Sequence, residues 1–154
     1  MKISIKKMVA VIVILAIFVV AAIVFFSKQA QIRKVDGTKH YFSFPEHGTE
    51  KIVEETRILP KDAPQGELNF YVDELLLGPA TPRLRPLFSL GTSAEYCFVK
   101  NSVLYVGLTR DAVLQMGDSA DIKTGVKLFK DNIKENFKDI KEIQLFIDGK
   151  YLEN

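Results

Sequence analysis

Apolar residues are distributed along this chain in two ways. Residues 8–26 are nineteen consecutive positions with neither charge nor proline. As a helix rising 1.5 Å per residue they would reach about 28 Å, close to the hydrocarbon thickness of a bilayer. Beyond position 37 the apolar residues recur periodically instead. Residues 40–44 alternate Tyr and Phe with His and Ser, and 52–59 follow a turn-rich stretch from Pro45 to Gly48. Together they predict a β-hairpin closed by Pro60. Pro64 and Gly66 then open a helix whose apolar face is Leu68, Tyr71, Val72, Leu75 and Leu76. Gly78 stands where a left-handed C-cap belongs, and Pro79 stops continuation.

Residues 80–92 hold Pro82 and Pro86 and end in Gly91-Thr92, which predicts a loop with set bends. A second hairpin is expected from 95–100 and 103–108, turning at Asn101-Ser102. Residues 109–119 are polar except for Val113 and Leu114, read as a short helical turn tucked under the core, with Asp118 or Ser119 capping the next helix. That helix is expected over 120–137, with Ile122, Val126, Phe129, Ile133 and Phe137 facing inward. A final strand spans 142–148, where Ile143, Leu145 and Ile147 alternate. The order is β-β-α-β-β-α-β: an α+β two-layer domain with both helices on one face of a single mixed or antiparallel sheet.

Charge bears on the apolar run. Lys2, Lys6 and Lys7 precede it with no acidic residue, as in the n-region of a signal sequence. The run exceeds a cleaved h-region in length, and Phe25, Phe26, Ser27 and Lys28 make a poor cleavage site, so it is read as a retained signal anchor. The single cysteine, Cys97, lies far from the N-terminus, which excludes lipoprotein processing there. Lys28, Arg33, Lys34 and Lys39 nearly balance the positive-inside comparison. The short basic end and long C-terminal part favour an N-terminus in the cytoplasm and a domain outside. The expected organisation is a basic segment (1–7), a single-pass anchor in the cell membrane (8–26), a juxtamembrane linker (27–37) and an extracytoplasmic domain (38–154).

The chain has 21 basic and 19 acidic residues; three of the lysines precede the anchor, leaving the remainder one charge more acidic than basic. Such a surface argues against nucleic-acid binding. One cysteine permits no internal disulfide, so packing must hold the domain together.

Few residues invite a chemical reading. Lys123, Lys127, Lys130, Lys134, Lys138 and Lys141 form a stripe beside the apolar face of the last helix. It would suit anionic headgroups or an acidic partner. The simpler reading is a solvated flank, with Asp131, Glu135 and Asp139 in pairing range. His40 and His47 are read as surface histidines, since a metal needs three or four convergent ligands. Cys97 reads as a small core residue, Asp73 and Glu74 as solvent contacts, and Ser93 lacks the setting of a nucleophile elbow. Arg83 and Arg85, held between Pro82 and Pro86, would suit bidentate contact with carboxylate or phosphate. The loop is either a docking edge with Phe88 or a flap whose Leu87 and Phe88 fold back over the sheet. No catalytic set, cofactor or metal site is expected.

Several of these marks in order resemble the GerMN domain of sporulation and spore-germination proteins and of some bacterial envelope lipoproteins. The matching pieces are the opening hairpin, Leu75-Leu76-Leu77-Gly78-Pro79, Gly91-Thr92, Leu104-Tyr105-Val106-Gly107-Leu108-Thr109 and Ile147-Asp148-Gly149, over about residues 38–150. The chain has Gly107 where that family usually has aspartate, and Ser89-Leu90 where it has Ile-Pro. The resemblance implies an extracytoplasmic domain with an interaction or assembly role, whose partner is an envelope protein or another copy of the chain, rather than an enzyme. The alternative of another class is a module binding cell-wall glycan or another envelope polymer, which needs exposed aromatic rings; Tyr41, Tyr71, Tyr96 and Tyr105 are the candidates.

Overall fold

The alternating residues after position 36 become a long hairpin in the computed structural model, which describes residues 14–24, 36–114 and 117–152. The chain divides into two units, Met1–Asp36 and Gly37–Asn154. In the first, residues 14–24 form a helix, α1, with its apolar side chains exposed. The expected anchor extends past α1 at both ends onto residues outside the described ones. Among the described residues no helix is long and apolar enough to cross a membrane.

The second unit runs β1 (Gly37–Pro45), β2 (Ile52–Pro60), α2 (Glu67–Leu77), β3 (Ala94–Lys100), β4 (Val103–Leu108), a single 3-10 turn (Arg110–Val113), α3 (Ile122–Asn136), β5 (Glu142–Ile147) and β6 (Lys150–Tyr151). The α+β class and the order hold, with the two-residue β6 added at the end. Asn101 and Ser102, and Asp148 and Gly149, all have positive φ, the two-residue turn geometry that matches strand twist.

The expected single sheet is instead two. Among the described residues β1 pairs only with β2; the other four strands form a sheet in the order β3-β4-β5-β6, with β4 and β5 parallel and the remaining pairs antiparallel. Two asparagines one turn apart on α3 explain the separation. Ser43 N–H donates to Asn132 Oδ1 (2.7 Å), and Asn132 Nδ2 donates to Ser43 O (2.9 Å). Tyr41 N–H donates to Asn136 Oδ1 (2.9 Å), and Asn136 Nδ2 donates to Tyr41 O (2.8 Å). The outer edge of β1 therefore meets side-chain amides where a neighbouring strand would otherwise supply the ladder.

α2 follows expectation: Tyr71, Val72, Leu75 and Leu76 are buried, and Gly78 ends the helix at φ 92°. Arg57 of β2 holds that end. Its guanidinium donates to the carbonyls of Glu74 (3.1 Å) and Gly78 (2.6 Å), to the Glu74 carboxylate (3.1 Å) and to Glu55. Glu55 in turn accepts from the N–H groups of Ala80 (3.0 Å) and Thr81 (3.3 Å). A cation thus sits where helix carbonyls converge, and its carboxylate partner satisfies the chain leaving the helix. Glu74, expected in solvent, belongs to this cluster.

α3 begins at Ile122, capped by Asp121, whose carboxylate accepts from Thr124 N–H, in place of Asp118 or Ser119. Its buried residues are Gly125, Leu128, Phe129, Lys130, Asn132 and Ile133, so the helix is rotated from the expected face and Ile122 and Val126 sit at the core's margin. The rotation brings Gly125 against the carbonyl of Leu87, where an added Cβ would lie 2.3 Å from the oxygen. Val113 and Leu114 are exposed; Ala112 is the residue tucked under the core. One apolar core joins Phe42 and Phe44, Tyr71 and Leu75, Phe129 and Ile133, and the inward residues of β4 and β5.

Candidate interaction surfaces

Strand alternation that buries Leu104, Val106, Ile143 and Leu145 turns their neighbours outward. Register then assembles an aromatic face. Tyr96 lies opposite Gly107, Gly107 opposite Phe146, and Phe146 opposite Tyr151, giving one row across all four strands. Phe98 and Tyr105 form the next row, stacked with centroids 5.2 Å apart. Tyr96 is 6.0 Å from Phe98 and 6.3 Å from Phe146, and Phe146 is 5.4 Å from Tyr151. A Cβ on Gly107 would lie 2.2 Å from the Tyr96 ring, so the missing side chain lets that ring lie against the sheet. Phe98 is 50% exposed, Tyr151 47% and Tyr96 38%. The outer edge of β3, beyond a bulge between Ala94 and Tyr96, pairs with no strand among the described residues.

Of the four tyrosines proposed for a glycan platform, Tyr96 and Tyr105 share this face. Tyr41 is exposed on the other sheet. Tyr71 is fully buried, its hydroxyl donating to Tyr41 O at 2.8 Å.

The rotation of α3 creates a second surface. A groove of about 590 Å³ is walled by Ile122, Val126 and Leu152 and by Lys123, Lys127, Lys130, Lys134 and Asp131. Lys127 pairs with Asp131 at 2.6 Å. Lys138 pairs with Glu135, outside the groove. Lys123 and Lys134 have no ion-pair partner among the described residues. Lys130 departs from the solvated flank expected of the stripe: it is 8% exposed, and burial, with the nearby Lys134 charge, lowers its ammonium below the usual lysine range.

The proline-bounded loop is pinned to the first hairpin. Arg83 O accepts from His47 N–H and Arg85 N–H donates to Pro45 O, both at 2.8 Å. Arg83 is exposed, 3.8 Å from Glu46, whereas Arg85 Nε is buried without a hydrogen-bond partner in the described residues. Leu84, Leu87 and Phe88 fold inward, so the Phe88 ring packs on Phe129 and is not available as a surface contact.

His40 is a correction. It is 4% exposed, set between the rings of Tyr71 and Phe137, with Nε2 3.0 Å from Glu67 and Nδ1 3.3 Å from Asn136. Position 40 is an inward site of β1, and the asparagine that meets it comes from a helix 96 residues away. His47 is exposed and pairs with Asp118 at 2.7 Å. Cys97 packs at the core margin, where burial, with a contribution from Asp73, pushes its thiol up to about 11. Among the described residues no three metal-ligating side chains converge.

These elements define a class: an α+β domain with a sealed hairpin, two core helices and a four-stranded sheet carrying a parallel pair. Residues 39–153 match the model of the Germane family, described as sporulation and spore germination, and the chain belongs to that family. The first GerMN domain of the sporulation protein GerM from Bacillus subtilis superposes with a TM-score of 0.58 at 15% identity, over 75% of this chain and 86% of that one. The tandem GerMN domains of the same protein superpose with a TM-score of 0.54 at 16% identity, over 74% of this chain and 39% of the tandem structure. At such identities the likeness is one of fold. No curated protein is similar to the chain at a significant level.

Proposed function

We propose that the chain is a single-pass membrane protein whose Germane domain acts outside the membrane as a non-enzymatic docking and assembly module. The observation that carries this reading is the open edge of β3, continuous with the exposed Tyr96 and Phe98. An unpaired strand edge beside apolar side chains is a template for strand addition by a partner or a second copy. The charged residues of β3, Glu95 at the bulge and Lys100 at the far end, leave the run from Tyr96 to Val99 without a charge. Anchoring is supported by the nineteen uncharged residues at 8–26 behind Lys2, Lys6 and Lys7, and by the helix at 14–24 within them. Arg83 and the α3 lysines are secondary contact surfaces in this reading.

The test is in-cell photo-crosslinking of the full-length protein, with the probe at Phe98 and further probes at Arg83 and Lys127. The expected result is a recurrent crosslink from Phe98 to one envelope protein or to the chain itself. A Phe98 probe that captures no protein overturns the reading.

A second reading has its own observation. The Tyr96 ring lying over Gly107, with Phe98, Tyr105, Phe146 and Tyr151 around it, offers ring faces on which the C–H face of a sugar can rest. It predicts retention of the full-length protein on purified cell-wall glycan, abolished by Tyr96→Ser with Phe98→Ser.

A further inference from the structure

The open edge of β3 has its own complement: we infer that it takes the same edge of a second copy of the chain, antiparallel and centred on Phe98, so that two four-stranded sheets become one. The inference deepens the docking role proposed above and rests on it for the surface used; it adds the partner and the register. Which backbone groups lie on that edge follows from the ends of β4. Thr109 N–H donates to Ser93 O on the β3 side, whereas Leu108 O accepts from Asp148 N–H and Ser102 O from Lys141 N–H on the β5 side. Odd residues of β4 therefore turn to β3 and even ones to β5. The β3 partners of Val103, Tyr105 and Gly107 are Lys100, Phe98 and Tyr96, so the backbone groups of Cys97 and Val99 are left facing out.

Past the bulge the pairing is regular over residues 96–100, a stretch whose midpoint is Phe98. A two-fold axis through Phe98, perpendicular to the sheet, lays that whole stretch on itself. Cys97 then comes opposite the second copy's Val99, and the two exchange N–H and C=O at both ends of the contact. Phe98 meets the second copy's Phe98 as a non-hydrogen-bonded pair, the kind with the closer side chains, and each ring is already stacked on Tyr105. Lys100 comes opposite Tyr96, where an ammonium meets a ring face. An axis moved to Cys97 would instead set Glu95 against Val99, and one moved to Lys100 would set two ammonium groups together.

The side chains of β3 also ask for cover on both faces. Tyr96 and Phe98 are exposed on the outer face, and Val99, on the inner face with Cys97, is 46% exposed. A strand apolar on both faces is the pattern of a sheet interior, and a second β3 places it there. A two-fold contact needs a patch complementary to itself. The 96–100 stretch is such a patch, with a ring at one end, a cation at the other and Phe98 between them.

The experiment uses envelopes of cells expressing the full-length chain with Cys97→Ser, which removes its one thiol. They are oxidised with copper phenanthroline and read on non-reducing gels. Phe98→Cys in that background should dimerise most of the chain, because a non-hydrogen-bonded pair sets its Cα atoms about 4.5 Å apart, within disulfide range. Tyr96→Cys and Lys100→Cys should each dimerise no more than Ile58→Cys, an exposed control on β2, since like residues would lie about 13 Å apart. Co-expressed with different tags, Tyr96→Cys and Lys100→Cys should crosslink to each other. A Phe98→Cys yield no higher than the Ile58→Cys control overturns the inference, as does a co-expressed pair that fails to crosslink or a Tyr96→Cys dimer as abundant as that of Phe98→Cys. Capture of only a different protein by the Phe98 photo-probe also overturns it, while leaving the docking role standing. A probe that captures no protein, beside abundant Phe98→Cys dimers, condemns the docking role alone.

Discussion

Asn132 is the residue on which the separation of the two sheets turns, and replacing it with alanine tests that reasoning most directly. Its amide both accepts from and donates to the backbone of Ser43, at 2.7 and 2.9 Å, while 3% exposed. In Asn132→Ala the Ser43 N–H and C=O lose their partners where water has little access. At about 1–3 kcal/mol for each unsatisfied buried group, the loss should be about 2–6 kcal/mol. Asn136→Ala removes the same pair of bonds from Tyr41, which is 36% exposed so that water substitutes, but it also takes a partner from the buried His40, so the loss should be about 1–3 kcal/mol. The assay is urea unfolding of the full-length protein in detergent micelles, followed by far-ultraviolet circular dichroism because the chain contains no tryptophan. Asn132→Ala should also promote aggregation, since the freed β1 edge can pair with another strand. A loss below about 1 kcal/mol for Asn132→Ala would refute the idea that α3 seals that edge.

The remaining expectations use the same unfolding assay or simple chemistry. Gly125→Ala gains about 1 kcal/mol of helix propensity. It also forces a Cβ to 2.3 Å from the Leu87 carbonyl, so a net loss of about 1–2 kcal/mol is expected, and a stabilised variant would show that the helix can move away. Arg57→Ala strands Glu55 and Glu74 and should cost about 3–5 kcal/mol; a loss under about 1 kcal/mol would mean the cluster is only decorative. Burial raises the Glu55 carboxyl, but the Ala80 N–H, Arg57 and Thr81 outweigh it and hold it below the usual range. Its contribution is therefore complete above the ordinary carboxylate pKa and lost as pH falls through the lowered folded value, so Glu55→Gln should flatten the acid limb of a stability–pH profile. With its thiol at about 11, Cys97 should react with iodoacetamide on the order of a hundredfold more slowly than a free thiol at neutral pH. The rate should rise with pH and become ordinary in urea; rapid labelling of the folded protein would refute the burial.

Local pattern made much of this domain legible. The α2 face of Tyr71, Val72, Leu75 and Leu76, the stop at Gly78 and the turn at Asn101-Ser102 are all written in residues that touch each other within a few positions. Such features follow from helical and strand periodicity and from the backbone freedom of glycine, so no distant contact is needed to read them. His40 shows where that stops. Its burial depends on Glu67, Tyr71, Asn136 and Phe137, and no local window holds those four together. The face of α3 departs from its apolar periodicity for a related reason: an asparagine counts as polar by composition, yet Asn132 is buried because β1 offers its amide two backbone partners. A signal existed in Asn132 and Asn136, two poor helix formers one turn apart, a pairing that asks for a purpose.

The candidate surfaces divide in the same way. The lysine stripe is visible as a spacing, but its becoming a groove depends on how far α3 turns about its axis, which Gly125 and the two asparagines set through contacts to Leu87, Ser43 and Tyr41. Two rings of the aromatic face, Tyr96 and Tyr105, are candidates by sequence, but their grouping with Phe98, Phe146 and Tyr151 is not, because register between four strands decides which rings become neighbours, and one absent Cβ at Gly107 decides how Tyr96 lies. By itself the sequence determined the family, the α+β class, the order of elements and the apolar run at residues 8–26, all of which rest on short-range periodicity and punctuation. Only tertiary structure decided the division into two sheets, the burial of His40, Phe88 and Lys130, and the two exposed surfaces. Those depend on which backbone edges and side chains meet across the fold, and a pattern read along the chain carries no term for such encounters.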